Sequence, residues 1–338
     1  MDKSLILQTR AMSKTYAIGV DVGGTKVAAG LVDSTGAIVC QTKAPMVVTK
    51  TAADGLACVQ QAIEAVLRGK EDVRDRIAGI GIGTPGPLDP RRGIVIHPRN
   101  LPCWRDFPLT EEIARAFGIP ARLDNDANAA ALGEALWGAG AGYRNVFCFT
   151  VGTGIGTGIV MDRRIYHGRT GNAAEGGHVS IDYRGPQCNC GKRGCIEAYC
   201  AGPAIARRAR ERIAEGCASS SRIAALVNNK LDAIQTETVA EAYRQGDALA
   251  TALFEETADL LAVWLGTVID LIEPDVIIMG GGVAEILSSF RGRISQRLPQ
   301  WTINPHSPEI PLLMAKYGAE AGIVGTAALI LAASEEGL

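Results

Sequence analysis

Residues 175–197 (E-G-G-H-V-S-I-D-Y-R-G-P-Q-C-N-C-G-K-R-G-C-I-E) hold Glu175, His178, Cys188, Cys190, Cys195 and Glu197 in one short stretch. Three thiols and one imidazole make a complete tetrahedral ligand set for zinc. Gly177, Gly185, Gly191, Gly194 and Pro186 supply the tight turns that such a knot needs. The competing reading is a set of buried, inert thiols. A C-x-C-x-x-x-x-C spacing in a glycine-rich loop, with a histidine ten residues upstream, favours the metal. Four protein ligands leave no open coordination position, so the zinc is expected to be structural. His178 could ligate through one ring nitrogen and present the other to a substrate. The metal does not require Glu175 or Glu197; it would hold them in place as hydrogen-bonding groups.

A second chemistry sits at the ends of apolar runs. Tyr16 to Asp21 reads as a buried strand and Lys26 to Val32 as the next, joined through V-G-G-T. An Asp ending a strand, bare backbone N–H groups and a Thr hydroxyl suit magnesium and phosphate oxygens. Val146 to Val151 and Ile155 to Met161 repeat this logic around G-T-G-I-G-T-G. A third glycine turn, Gly280-Gly281-Gly282, follows a strand at Asp275 to Met279 and lets another molecule approach the backbone closely. No G-x-x-x-x-G-K-[ST] is present. Gly81-x-Gly83-x-x-Gly86 imitates a dinucleotide fingerprint, but Pro85, Pro87 and Pro90 exclude the helix that fingerprint must open. A short strand at Ala121 to Leu123 runs into D-N-D-A-N-A-A-A-L-G-E. There Asn125 or Asp124 is expected to cap a helix, with Asp126 in its first turn. A carboxylate beside a helix N-terminus is expected to stay ionised, and three polar residues ending a buried strand, in a chain with a phosphate loop, favour catalysis over mere capping.

The elements that must position these groups follow from periodicity. Helical spacing marks 52–68, with Leu56, Val59, Ile63, Val66 and Leu67, then 109–117, 247–272 and 320–333. Ile77 to Gly83 reads as a further strand, and Ile310-Pro311-Leu312-Leu313 as an edge strand. Arg207, Arg208, Arg210 and Arg212, interrupted by Glu211 and Glu215, are expected on a solvated helix face. Length, 338 residues, allows two domains. A net charge of −2 offers no basic footprint for nucleic acid or an anionic membrane. Nine cysteines without scaffold density fit a reducing compartment, and no run long enough to span a membrane is present, so the expected location is cytoplasmic. Residues 1–15 are expected to form a disordered tail.

E-G-G-H followed by C-N-C-G-K-R-G-C-I-E resembles the signature of the ROK family of bacterial sugar kinases and sugar-responsive repressors. D-x-G-G-T, P-G-P, N-D, G-T-G and G-G-G occur around it in family order, so the resemblance spans residue 16 to about 335. It implies an α/β, actin-like (ribonuclease-H-like) duplicated fold of two domains with a sugar and nucleotide cleft between them. The smaller domain is expected at 16–125 plus 322–338, the larger at 126–321 with the zinc knot. It implies Asp126 as catalytic base, and Gly86, Asn100, Asn125, Asp126, Glu175, His178 and Glu197 as sugar contacts. Trp104, beside Asn100 in N-L-P-C-W, reads equally as core. ATP and phosphate contacts are expected from Asp21, Gly23, Gly24, Thr25, Lys26, Thr153, Gly154, Gly280, Gly281 and Gly282, with Asp21 helping to hold magnesium. The implied cofactors are ATP, Mg and a structural Zn held by His178, Cys188, Cys190 and Cys195; the implied assembly is a homodimer or homotetramer. The expected activity is ATP-dependent phosphorylation of a hexose in glycolysis, with glucose converted to glucose 6-phosphate. N-acetylglucosamine and N-acetylmannosamine are the competing acceptors, and polyphosphate the competing donor. A repressor of the family would place a winged helix-turn-helix before the first strand, where only fifteen residues precede Tyr16.

Overall fold

The computed structural model describes residues 15–48, 51–216 and 221–335. The tail expected at 1–15 lies, apart from Thr15, outside the described residues. The chain divides into two compact units. The first runs to Gly142 and adds Arg163–Ala173 and the chain from Ala319; the second holds Tyr143–Asp162 and Ala174–Gly318.

In the first unit the sheet order is Ile38–Pro45, Lys26–Asp33, Tyr16–Val22, Ile77–Thr84 and Ala121–Asn125. The first three strands are antiparallel neighbours and the last two run parallel to Tyr16–Val22. Tyr16–Val22 is apolar almost throughout because helices cover both of its faces. On one face the helix Ala52–Leu67 buries Val59, Ile63 and Val66. Thr51 and Asp54 start it with a reciprocal capping box, Thr51 Oγ1 accepting from the Asp54 N–H. Each of those buried side chains contributes roughly 1.5–3 kcal/mol, and Ile63→Ala would cost about 2–5 kcal/mol. On the other face the helix Ala321–Glu335 buries Ile323, Ala327, Ile330 and Leu331 against Ala17, Ala28 and Val32.

That last helix also crosses Asp126–Trp137 with almost no space between backbones. A Cβ on Gly325 would lie 2.2 Å from the Ala129 carbonyl oxygen, and one on Gly133 would lie 2.9 Å from the Gly325 Cα. The crossing binds Asp126–Trp137 into the first unit, so the units divide after Gly142 and not after Asn125, the boundary expected from sequence. No helix follows Gly86. Gly81 lies under the terminal helix, where a Cβ would meet the Thr326 carbonyl. Trp104 is fully buried, stacks on Phe107 at 5.4 Å and donates to the Ala52 carbonyl, so it is core.

The second unit repeats the pattern. Its sheet runs Ile155–Met161, Val146–Val151, Val276–Gly280 and Leu312–Met314: an antiparallel hairpin followed by two parallel strands. The helices Gly202–Ala214, Thr236–Arg244 and Ala248–Ile272 contribute to its core. Asp247 caps the longest by accepting from the Ala250 N–H at 2.8 Å. Trp264, fully buried, meets Phe147 and Phe149 edge-on at 5.6 and 5.3 Å. Its Nε1 donates to the Gly176 carbonyl, tying the core to the E-G-G-H turn.

The arginine face departs from expectation. Arg208 is 7% exposed, donates to the Tyr199 carbonyl and Thr257 Oγ1, and pairs with Glu256 at 2.6 Å. Arg210 donates to the Ile234 carbonyl at 2.7 Å. A guanidinium carries enough donors to be buried when carbonyls and a carboxylate surround it. The charge count along the helix does not reveal which arginines face that environment.

Candidate functional site

In the first unit the hairpin between Tyr16–Val22 and Lys26–Asp33 ends on Asp21. Burial and the nearby Asp126 carboxylate push the Asp21 carboxyl up to about 6, against the pull of Lys26 and Lys43. The terminal helix reaches it closely, since a Cβ on Gly322 would lie 2.5 Å from the Asp21 Cγ. The Gly23 N–H donates to the Lys26 carbonyl, closing the turn, and Thr25 and Lys26 sit exposed at its end. Gly24 packs on the loop carrying Asn100, where a Cβ would lie 2.8 Å from the Asn100 carbonyl oxygen.

Asp126 opens its helix in the first turn, and Asn125 is the cap, accepting from the N–H groups of Ala127 and Asn128 at 2.9 and 3.2 Å. Burial raises the Asp126 carboxyl. The Ala127 N–H, at 2.8 Å, and the Asn125 side chain pull the other way. The group is therefore not simply held ionised by the helix start, as the sequence implied; burial makes it more basic, which suits a proton acceptor working near neutral pH. Two carboxylates that repel each other, one on a glycine hairpin, form a place where a divalent cation is favoured. Gly86 lies beside the Asn125 amide, with the Nδ2 about 4.0 Å from where its Cβ would be.

In the second unit the hairpin Val146–Met161 turns through Gly152-Thr153-Gly154. Glu197 Oε2 accepts from the Ile155 N–H at 3.0 Å, and its Oε1 lies 3.7 Å from Cys188 Sγ and 3.8 Å from His178 Nδ1. One carboxylate thus spans the glycine hairpin and the cysteine knot. The ligand atoms of His178, Cys188, Cys190 and Cys195 all lie within 4.8 Å of one another. Cys188 Sγ to His178 Nδ1 is 3.6 Å, as is Cys190 Sγ to Cys195 Sγ. A tetrahedron with Zn–S near 2.3 Å has edges of about 3.8 Å, so the set fits zinc. Burial and the neighbouring sulfurs raise the Cys188 and Cys195 thiols, the latter to about 12, a crowding that a bound cation relieves. Gly194, at φ 71, allows the turn; a Cβ there would fall 1.6 Å from the Asp182 carbonyl. With Nδ1 facing the thiols, the imidazole of His178 keeps Nε2 for another partner. Glu175, exposed, stands just before the turn Gly176–His178.

A cavity of about 820 Å³ lies in this unit, lined by Thr153 and Gly282 together with Gly202, Arg210, Thr236 and Glu237. Of the three consecutive glycines only Gly282 lines it. Gly281, at φ 92, packs its backbone on Val151, and Gly280 faces Ala315. Hairpin backbone at Gly152 and Thr153, together with the polar side chains in the same lining, suits a ligand with phosphates and a polar ring.

The ROK family profile matches residues 17–333. The glucokinase of Streptomyces coelicolor is 35% identical over 313 residues, covering 92% of this chain and 96% of the relative. The chain belongs to the ROK family. A solved ROK glucokinase from Streptomyces griseus, in complex with glucose and AMPPNP, superposes with a TM-score of 0.78 at 35% identity, covering 93% of this chain and 99% of that one. The family also reaches regulators: the xylose repressor of Bacillus spizizenii is 26% identical over 94% of this chain and 77% of its own length. The repeated sheet order of the two units is accordingly the duplicated actin-like architecture of the ROK sugar kinases.

Several residues of this ROK chain escape sequence reasoning. His167 Nε2 meets Asp124 Oδ2 at 2.5 Å, and Asp124 Oδ1 accepts from the Asn125 N–H and Asn128 Nδ2. Asp124 therefore braces the turn that carries Asn125 and Asp126. Gly202, Thr236 and Glu237 join the large cavity from segments with no motif of their own. Only the D-N-D spacing held a signal, and it pointed to the cap rather than to the half-buried histidine forty-three residues away.

Proposed function

We propose that this ROK protein is an ATP-dependent hexose kinase of the hexokinase type, with glucose as preferred acceptor and O6 as the nucleophile. The observation that carries the reading is the pair of raised, mutually repelling carboxylates Asp21 and Asp126, one on a phosphate-type hairpin and one at a helix start. A sugar sensor would need neither. The similarity to glucokinases at 35% identity supports a kinase and favours glucose.

In this reading Asp126 accepts the proton of the acceptor hydroxyl as its oxygen attacks the γ-phosphorus, and ADP leaves with the bridging oxygen. Asp21 helps to hold the magnesium that accompanies ATP and offsets phosphate charge. The N–H groups of Gly24, Thr25, Thr153 and Gly154 stabilise the phosphoryl oxygens, with Gly23 closing the first turn beside them and Lys26 adding positive charge. Gly282 and its cavity partners take the adenosine. Asn125 donates to a ring hydroxyl through Nδ2, its oxygen being occupied by the cap. Glu175, Glu197 and the Nε2 of His178 address further hydroxyls, with Gly86 and Asn100 completing the sugar contacts. His178, Cys188, Cys190 and Cys195 hold a structural zinc that fixes His178.

A coupled assay of kcat/KM across glucose, N-acetylglucosamine and N-acetylmannosamine, with ATP and polyphosphate as alternative donors, tests this. Glucose with ATP is expected to lead. A tenfold advantage for an amino sugar would discard glucose, and absence of turnover with any hexose would discard the kinase.

A further inference from the structure

A second cavity, of about 560 Å³, lies in the first unit, against the edge strand Ala121–Asn125. No step of the proposed reaction uses it. Arg91, Arg92, Arg122, Arg163 and Arg164 line it, with His167. The guanidinium groups of Arg91, Arg92, Arg122 and Arg163 have no ion-pair partner among the described residues. The one carboxylate in the lining, Asp124, is already engaged by His167, the Asn125 N–H and Asn128. It has no spare demand for an arginine. The charge of Arg91 reaches His167, opposing the upward pull that Asp124 exerts on the imidazole. Leu132, Leu329, Ala332 and Ala333 add an apolar wall.

A concave group of unpaired guanidiniums is self-repelling until an anion enters, and guanidiniums favour the bidentate geometry of phosphate. An apolar wall in the same cavity favours an anion with an organic part. We propose that this cavity binds a small organic phosphate, at a site other than the nucleotide cavity. Asp124 is common to this cavity and to the turn bearing Asp126, so occupancy has a direct structural route to that carboxylate.

The test is calorimetric titration of the full chain, held in saturating AMPPNP and glucose, with glucose 6-phosphate and with inorganic phosphate. One saturable site is expected, with the organic phosphate binding more tightly. Arg91→Gln and Arg122→Gln should each weaken it about tenfold while leaving thermal stability, and kcat/KM measured without added phosphate, within about twofold of wild type. Arg163→Gln gives an independent third reading in the same direction. No saturable binding up to on the order of 10 mM, or unchanged affinity in all three variants, would overturn the site. Equal affinity for the two ligands would overturn its organic component. Because binding is read directly, a negative result here leaves the kinase reading untouched, and a failure to phosphorylate hexoses leaves this measurement valid.

Discussion

The two glycine hairpins hold the same place in their sheets, yet they are secured in opposite ways. The hairpin at Asp21–Lys26 brings a carboxylate that burial and Asp126 push up to about 6. The hairpin at Gly152–Gly154 brings no charge of its own and is braced from outside. Glu197 accepts from its Ile155 N–H, and its Gly152 carbonyl accepts from the Gly202 N–H at 2.8 Å. The first turn stores electrostatic tension that a cation can release; the second is a hydrogen-bonded frame coupled to the thiol knot. Duplication thus repeated a backbone shape, while the side chains divided the work between charge and rigidity.

The largest effect should come where the charged half meets the chemistry. Asp126→Asn keeps size and removes the proton acceptor, so kcat should fall by about 10²–10⁴. Glucose binding by calorimetry should change far less. A variant that keeps most of its turnover would remove Asp126 from the catalytic role.

Next comes the brace. Glu197→Gln removes the negative charge beside Cys188 and His178, and metal affinity measured by chelator competition should weaken about 10–100-fold. Asp21→Asn should leave the metal content of the site formed by His178, Cys188, Cys190 and Cys195 unchanged while it lowers turnover. If both variants lost metal equally, the division between the hairpins would fail.

Glycine substitutions sharpen the contrast further. A Cβ at Gly154 would lie 2.6 Å from the Glu197 carboxylate, whereas the nearest atom to one at Gly23 is 3.4 Å away. Gly154→Ala should therefore raise the KM for ATP by about tenfold through displacement of the hairpin, and Gly23→Ala should have a clearly smaller effect. Equal KM values for the two variants would show that Glu197 does not set the position of its hairpin.

The smallest effect concerns stability and pH. Because the Asp21 carboxyl is raised in the fold, its contribution favours the folded state below the unfolded value near 3.8 and is lost as pH rises through about 6. Asp21→Asn should accordingly stabilise the metal-free protein at pH 8 by up to about 1–3 kcal/mol, an advantage that shrinks on acidification below pH 6. Denaturant titrations at the two pH values check the sign; a variant less stable than wild type at pH 8 contradicts it. In the wild type, kcat/KM should also fall on the acid side around this value.

Much of this was legible in the chain alone. The helices at 52–67, 109–117 and 248–272 lie where apolar spacing and caps put them, because those signals are local. The gathering of His178, Cys188, Cys190 and Cys195 was readable because side chains at such short spacings in a glycine-rich loop are brought together by local turns. Both glycine hairpins were readable because a tight turn between two apolar runs has few alternatives.

What local sequence could not reveal came from contacts between distant segments. Arg208 and Arg212 look alike in the sequence, yet the first is buried under the long helix and the second is partly exposed. His167 finds Asp124 only after the chain has returned across forty-three positions. The raised carboxyl of Asp21 depends on burial and on Asp126, and neither leaves a mark in the residues around it. Burial and electrostatic coupling belong to the packed structure; sequence alone determined which groups were available, and tertiary structure decided which were charged, paired or hidden.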